Sequence, residues 1–127
     1  MSSCLERMLG SVRAQQIRSQ WNQISTEFEQ FVVGVLASEL WTRSELDLPT
    51  RSLVTIAGLT ALGKPRALAL NIEMALNNGA SRQEIRETVL QMAFYAASRL
   101  LGRVFKQQTK SFESCKVRAM QSHEAVK

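Results

Sequence analysis

Three polar side chains stand among apolar neighbours in this sequence, and their types suit proton transfer and anion recognition. Glu39 follows the apolar residues Phe31, Val35 and Leu36. A carboxyl desolvated there has its pKa raised toward the range useful for a general acid or base. The competing reading is a helix-end carboxylate paired with Arg43 four positions on. Arg51 opens the most apolar stretch of the chain. A guanidinium there either grips a carboxylate or lactone oxygen with two N–H groups or lies exposed in a first helical turn. Asn71 sits between Leu70 and Ile72, so its amide is either hydrogen-bonded structurally or aimed at a ligand.

Other chemistries lack their residues. The single histidine, His123, lies in the basic C-terminal stretch, which leaves no Ser-His-Asp or Cys-His arrangement and no zinc or iron site. Cys4 and Cys115 are far apart in sequence with no CxxC. A reduced pair is expected, with a Cys4–Cys115 disulfide as the alternative. Gly58, Gly63 and Gly79 are isolated and match no phosphate-cradling loop. No metal and no cofactor are expected.

The elements that must hold these residues read as helices throughout. Leu5, Met8, Leu9 and Val12 share one helical face, which predicts a first helix over residues 3–18. Thr26-x-x-Glu29 predicts a capping box, followed by a stripe of Ile24, Phe28, Phe31, Val32, Val35 and Leu36 reaching about Leu40. Residues 41–48 lose the stripe, and Asp47 before Pro49 suits a helix start. Residues 49–62 are apolar on most faces and predict a central buried helix ending at Gly63. Pro65 opens the next helix, whose inward face is Leu68, Ile72, Ala75 and Leu76, and Asn77-Asn78-Gly79 stops it. Glu73 is expected to face away from Asn71 and to be exposed. Ser81-x-x-Glu84 predicts a second capping box and a helix carrying Ile85, Val89, Met92, Ala93 and Ala96, extending toward Phe105. No segment alternates as a strand does. The fold class is all-α, with an antiparallel hairpin across the Asn-Asn-Gly-Ala connection.

With 127 residues, 45% of them hydrophobic, the chain is expected to form one domain with its own core. That core covers about residues 24–106, and residues 113–127 form a polar, basic tail. The net charge of +5 resides entirely in residues 99–127, where seven basic residues face two acidic ones. Clustered cations can track phosphates, but only Phe105 and Phe112 accompany them, and no nucleic-acid motif is present. Nucleic acid is therefore not an expected partner. The longest apolar stretch, Leu53 to Leu62, is half of what a membrane span needs, and the N-terminal residues lack a secretory apolar run. A cytoplasmic location without membrane attachment is expected.

Several ordered segments resemble the carboxymuconolactone decarboxylase family of the alkyl hydroperoxidase D-like superfamily. They are Glu39-Leu40-Trp41-x-Arg43-x-x-Leu46-Asp47, Thr50-Arg51-Ser52-Leu53-Val54-Thr55-Ile56-Ala57, Leu59-Thr60-Ala61-Leu62-Gly63, Ala75-Leu76-Asn77-Asn78-Gly79, Glu84-Ile85-x-Glu87-x-x-Leu90-Gln91 and Tyr95-Ala96. The resemblance spans about Thr26 to Phe105. It implies an all-helical bundle that assembles as a homo-oligomer, a trimer or hexamer, with active sites near subunit contacts. The type reaction removes carbon dioxide from a small unsaturated lactone acid without metal or organic cofactor.

Two departures mark a divergent member. Asn71 stands where the family typically carries a histidine, and an amide cannot shuttle a proton near neutral pH. Tyr95-Ala96-Ala97-Ser98-Arg99-Leu100 replaces a family segment containing glycine and proline, which implies a substrate other than the type one. Related peroxidases use a Cys-x-x-Cys pair where this chain reads Asn71-Ile72-Glu73-Met74, so a peroxidase is not expected. The resulting expectation is a cofactor-free lyase or isomerase acting on a small cyclic or aromatic acid or lactone. Glu39 is its acid/base, Arg51 its anion anchor and Asn71 a donor to an enolate or carbonyl oxygen. Trp41, Arg43 and Tyr95 contact substrate. The alternative is a catalytically inactive binding or scaffold subunit.

Overall fold

The computed structural model describes residues 3–96, 109–114, 116 and 121. Among the described residues every regular element is helical, as the sequence predicts. In chain order these are α1 (Cys4–Leu9), α2 (Ser11–Ile24), α3 (Thr26–Phe31), a π-helical segment (Val32–Leu40), α4 (Leu48–Ala61), α5 (Pro65–Asn77) and α6 (Arg82–Tyr95), and residues 109–114 are helical as well. The expected continuation of α6 to Phe105, and most of the expected basic tail, lie outside the described residues. The chain divides into two compact units, Met1–Arg51 and Ser52–Lys127.

In the first unit the single helix expected over residues 3–18 is two helices. Gly10 adopts φ +78°, a conformation that side chains bearing a Cβ rarely take, and the chain turns there between α1 and α2. Ser3 and Glu6 form a full capping box at the start of α1. α1 lies against α2 and the π-helical segment, and α3 lies against α2. The cap of α3 is Ser25, one residue earlier than expected: its Oγ accepts the Phe28 N–H at 2.9 Å. Glu29, expected to close a capping box, instead accepts the Arg18 Nε–H at 2.6 Å and is buried.

The apolar stripe expected to run on to Leu40 is largely exposed, from Ile24, Phe28 and Phe31 ahead of the widened helix to Val35 and Leu36 within it. Trp41 N–H reaches back five residues to Leu36 O at 3.1 Å, and Ser38 Oγ–H donates to Val33 O at 2.7 Å. Val32, Val33 and Val35 around Gly34 are weak α-helix formers, and the wider turn rotates the residues that follow. Only Ala37 of this segment is buried, while Phe31, Val35, Leu36 and Leu40 are exposed.

The second unit has one core. Ile56 of α4, Leu68, Ile72 and Ala75 of α5, Ala80, and Ile85 and Val89 of α6 pack together with Phe112. The ends of α4, α5 and α6 follow the sequence signals. Asp47 Oδ1 accepts the Thr50 N–H at 2.8 Å, and Pro65 opens α5. The Ser81 and Glu84 bonds of the capping box are both formed, at 2.7 and 3.1 Å. Gly79, at φ +98°, lets the Ala80 N–H fold back onto Ala75 O at 2.9 Å. α4 departs from a uniformly apolar helix: Ser52 and Thr60 are buried, whereas Val54, and Leu62 just past its end, are exposed.

Candidate functional site

The segment that ends the first unit carries Glu39, Trp41, Arg43 and Arg51. Glu39 lies near the end of the π-helical segment, with its side chain exposed rather than set in an apolar surround. It does not pair with Arg43. That guanidinium sits 3.5 Å from Glu45 instead, both partners well exposed, an arrangement that contributes little to stability. Trp41 is buried. Thr42 Oγ1 donates to Ser38 O at 2.6 Å and holds the chain as it leaves the widened helix.

Arg51 is 9% exposed, so the reading of a solvated first-turn arginine fails. Its Nη2 donates to Arg43 O at 3.0 Å and to Leu46 O at 3.4 Å. The guanidinium therefore ties the loop over residues 41–47 to the first turn of α4. Those carbonyls would otherwise lack helical partners, and a charged donor strengthens each bond. This is the contact through which the structure brings two of the expected site residues together. Asp47, beside this loop, is held below its ordinary value of 3.8 by the Thr50 hydroxyl and then by the Thr50 N–H.

Asn71 and Tyr95 belong to the second unit. Asn71 is half-buried on α5, and its Nδ2 donates to Ala67 O one turn earlier at 2.8 Å. Tyr95, at the end of α6, is 78% exposed. Glu73 overturns its expectation: it is 7% exposed and has an interaction partner. The alternation between positions 71 and 73 holds, but the inward side of α5 is centred on Ile72 to Ala75. An apolar scan assigns glutamate to solvent and misses this. A partly buried polar pair also escaped the sequence: Asn78 Nδ2 donates to Ser52 Oγ at 3.0 Å, joining the end of α5 to α4. Ser52 was legible only as part of an ordered family string.

Among the described residues no group of three or more His, Cys, Asp or Glu side chains could hold a metal ion, and no helix is long and apolar enough to cross a membrane. Cys4 is a buried free thiol.

A model of the carboxymuconolactone decarboxylase family matches residues 26–106. The chain is 34% identical over 89 residues to a 4-carboxymuconolactone decarboxylase of Acinetobacter baylyi, a match covering 70% of this chain and 66% of that protein. It is 38% identical over 65 residues to an uncharacterised 15.0 kDa protein of Paracoccus denitrificans encoded in the nqo9-nqo10 intergenic region, covering 45% of this chain and 48% of that one. The matched segments thus fall short of two thirds of either relative's length.

Proposed function

Because this chain belongs to the carboxymuconolactone decarboxylase family, we propose that it is a cofactor-independent lyase of the decarboxylase type, or a closely related isomerase, acting on a small cyclic or aromatic acid or lactone. The observation that carries this reading is the match over residues 26–106, together with the similarity to a protein named for that reaction. Loss of carbon dioxide from such an acid leaves an electron pair on a carbon conjugated to a carbonyl. The enzyme must then supply a donor at the developing enolate oxygen and an acid for the carbon.

In this proposal Asn71 is the enolate donor and Glu39 the acid/base. Arg51 is the anion anchor, and Trp41, Arg43 and Tyr95 contact substrate. Asn71 replaces the family histidine by offering an N–H without carrying a proton across. The substrate is a small molecule, and the functional form is a homo-oligomer in which exposed residues such as Glu39 and Tyr95 lie at subunit contacts. Incubating the purified chain with 4-carboxymuconolactone and with related lactone acids, and following carbon dioxide release, tests the proposal. Release above the spontaneous rate, abolished by E39Q, is expected; release matching the spontaneous rate throughout the panel defeats it.

A second reading, that of a non-catalytic binding or scaffold subunit, is favoured by the bonds these side chains make. Arg51 is engaged with loop carbonyls and Asn71 with its own helix, roles that need no substrate. A homo-oligomer that forms normally but turns over nothing would select it.

A further inference from the structure

The first unit contains a shallow, open polar cleft that the proposed reaction does not use. Its volume is about 310 Å³, and it is lined by Gln15, Arg18, Ser19 and Asn22 of α2 and by Glu29 of α3. The four α2 residues recur at the spacing of one helical face. They also precede residue 26, where the family match begins, so the cleft is built largely from sequence outside the matched segment.

Its lining includes a charge pair of unequal burial. Glu29 is buried, Arg18 is partly exposed, and the Nε–H of Arg18 meets Glu29 Oε1 at 2.6 Å. This single bond leaves both Nη groups of Arg18 and the second oxygen of Glu29 without another partner among the described residues. A guanidinium has five N–H donors, and a carboxylate accepts more than one bond per oxygen. Around the pair, the amides of Gln15 and Asn22 and the hydroxyl of Ser19 each offer both donor and acceptor atoms.

Charge decides what fits. A simple anion drawn to Arg18 also meets the Glu29 carboxylate, and a simple cation drawn to Glu29 meets the guanidinium. Only a ligand carrying both signs satisfies each end without a like-charge contact. The volume is at the lower end for small-molecule sites, and a ligand of a few heavy atoms fits within it. We propose that this cleft binds a small zwitterion, a carboxylate and an ammonium on one short skeleton, as in a free α-amino acid. The carboxylate takes the Nη groups of Arg18, and the ammonium takes the free oxygen of Glu29 with the amide oxygen of Asn22 or Gln15.

The test is a titration of the full chain at constant ionic strength with L-alanine, acetate and methylammonium, following the side-chain amide signals of Gln15 and Asn22 and the Arg18 Nε–H by NMR. L-alanine is expected to give saturable shifts at concentrations about tenfold lower than either single-charge probe. The Q15A/N22A double variant keeps the ion pair and the fold, and should weaken L-alanine binding about fivefold. E29Q keeps a bond to Arg18 but leaves a net positive cleft, and should gain acetate binding about fivefold over wild type. The proposal is overturned if L-alanine causes no saturable shift, if all three probes act alike, or if the double variant titrates as wild type does.

Discussion

The carboxamide of Asn71 carries two N–H groups, and the bond to Ala67 O occupies one of them. The second is what the proposed enolate contact requires. N71A should therefore lower turnover on the true substrate at least about tenfold while leaving the assembly state unchanged. Steady-state kinetics beside light scattering checks this, and unchanged turnover would reduce Asn71 to a helix-surface amide. Thr60 presents the opposite case. It is buried in α4, and its hydroxyl has no hydrogen-bond partner among the described residues. An unsatisfied buried hydroxyl costs about 1–3 kcal/mol. T60V keeps the shape and removes that group, so it should raise unfolding stability by about 1 kcal/mol, read as a higher urea midpoint at constant slope.

At the scale of the element, α4 begins on a titratable cap. Asp47 Oδ1 accepts the Thr50 N–H, and the hydroxyl and N–H of Thr50 together lower the acid's pKa when folded. A folded value below the unfolded one means that the cap's contribution is complete above the unfolded pKa. It is lost as pH falls through the folded value. The Thr50 amide signal should accordingly move between neutral and strongly acidic pH, ahead of any global unfolding, and D47N should flatten that transition. The cap of α3 shows why such local signals mislead when two candidates adjoin. Ser25 and Thr26 both offer a hydroxyl, and Thr26 has the better-spaced glutamate. Glu29 is instead claimed by Arg18 from α2, which leaves the cap to Ser25.

At the scale of the whole molecule, Phe112 packs into a core whose other members lie between Ile56 and Val89. Its ring is 6% exposed, joins the core of the second unit, and lies 5.2 and 5.7 Å from the guanidinium carbons of Arg82 and Arg86. Both distances suit cation–π attraction. F112A should cost about 3–5 kcal/mol, as removal of a buried phenyl ring does, measured by urea unfolding; F112L should cost much less. The chain also leaves Phe31, Val54, Leu62, Phe94 and Tyr95 exposed, with Phe94 at 84%. Exposed large apolar side chains are ones that a subunit contact can cover. Light scattering of the purified chain is expected to give three or six copies, and a monomer at micromolar concentration would contradict the proposed homo-oligomer.

What the amino-acid sequence determined by itself is what depends on neighbours a few residues away. The all-helical class, the Ser81–Glu84 box, the Asp47 cap, the Pro65 start and the Gly79 stop all follow from bonds closed within one turn, and the family follows from ordered strings of such positions. Tertiary structure alone decided which way those helices face. The apolar stripe from Ile24 to Leu40 stayed largely exposed, and Glu39 with it. The loop over residues 41–47 drew Arg51 inward onto its carbonyls. The inward side of α5 took Glu73 with it. Each outcome turns on a rotation of a helix or on a partner distant in sequence, and a pattern of residue types along one chain encodes neither, because burial is a property of what packs against a side chain.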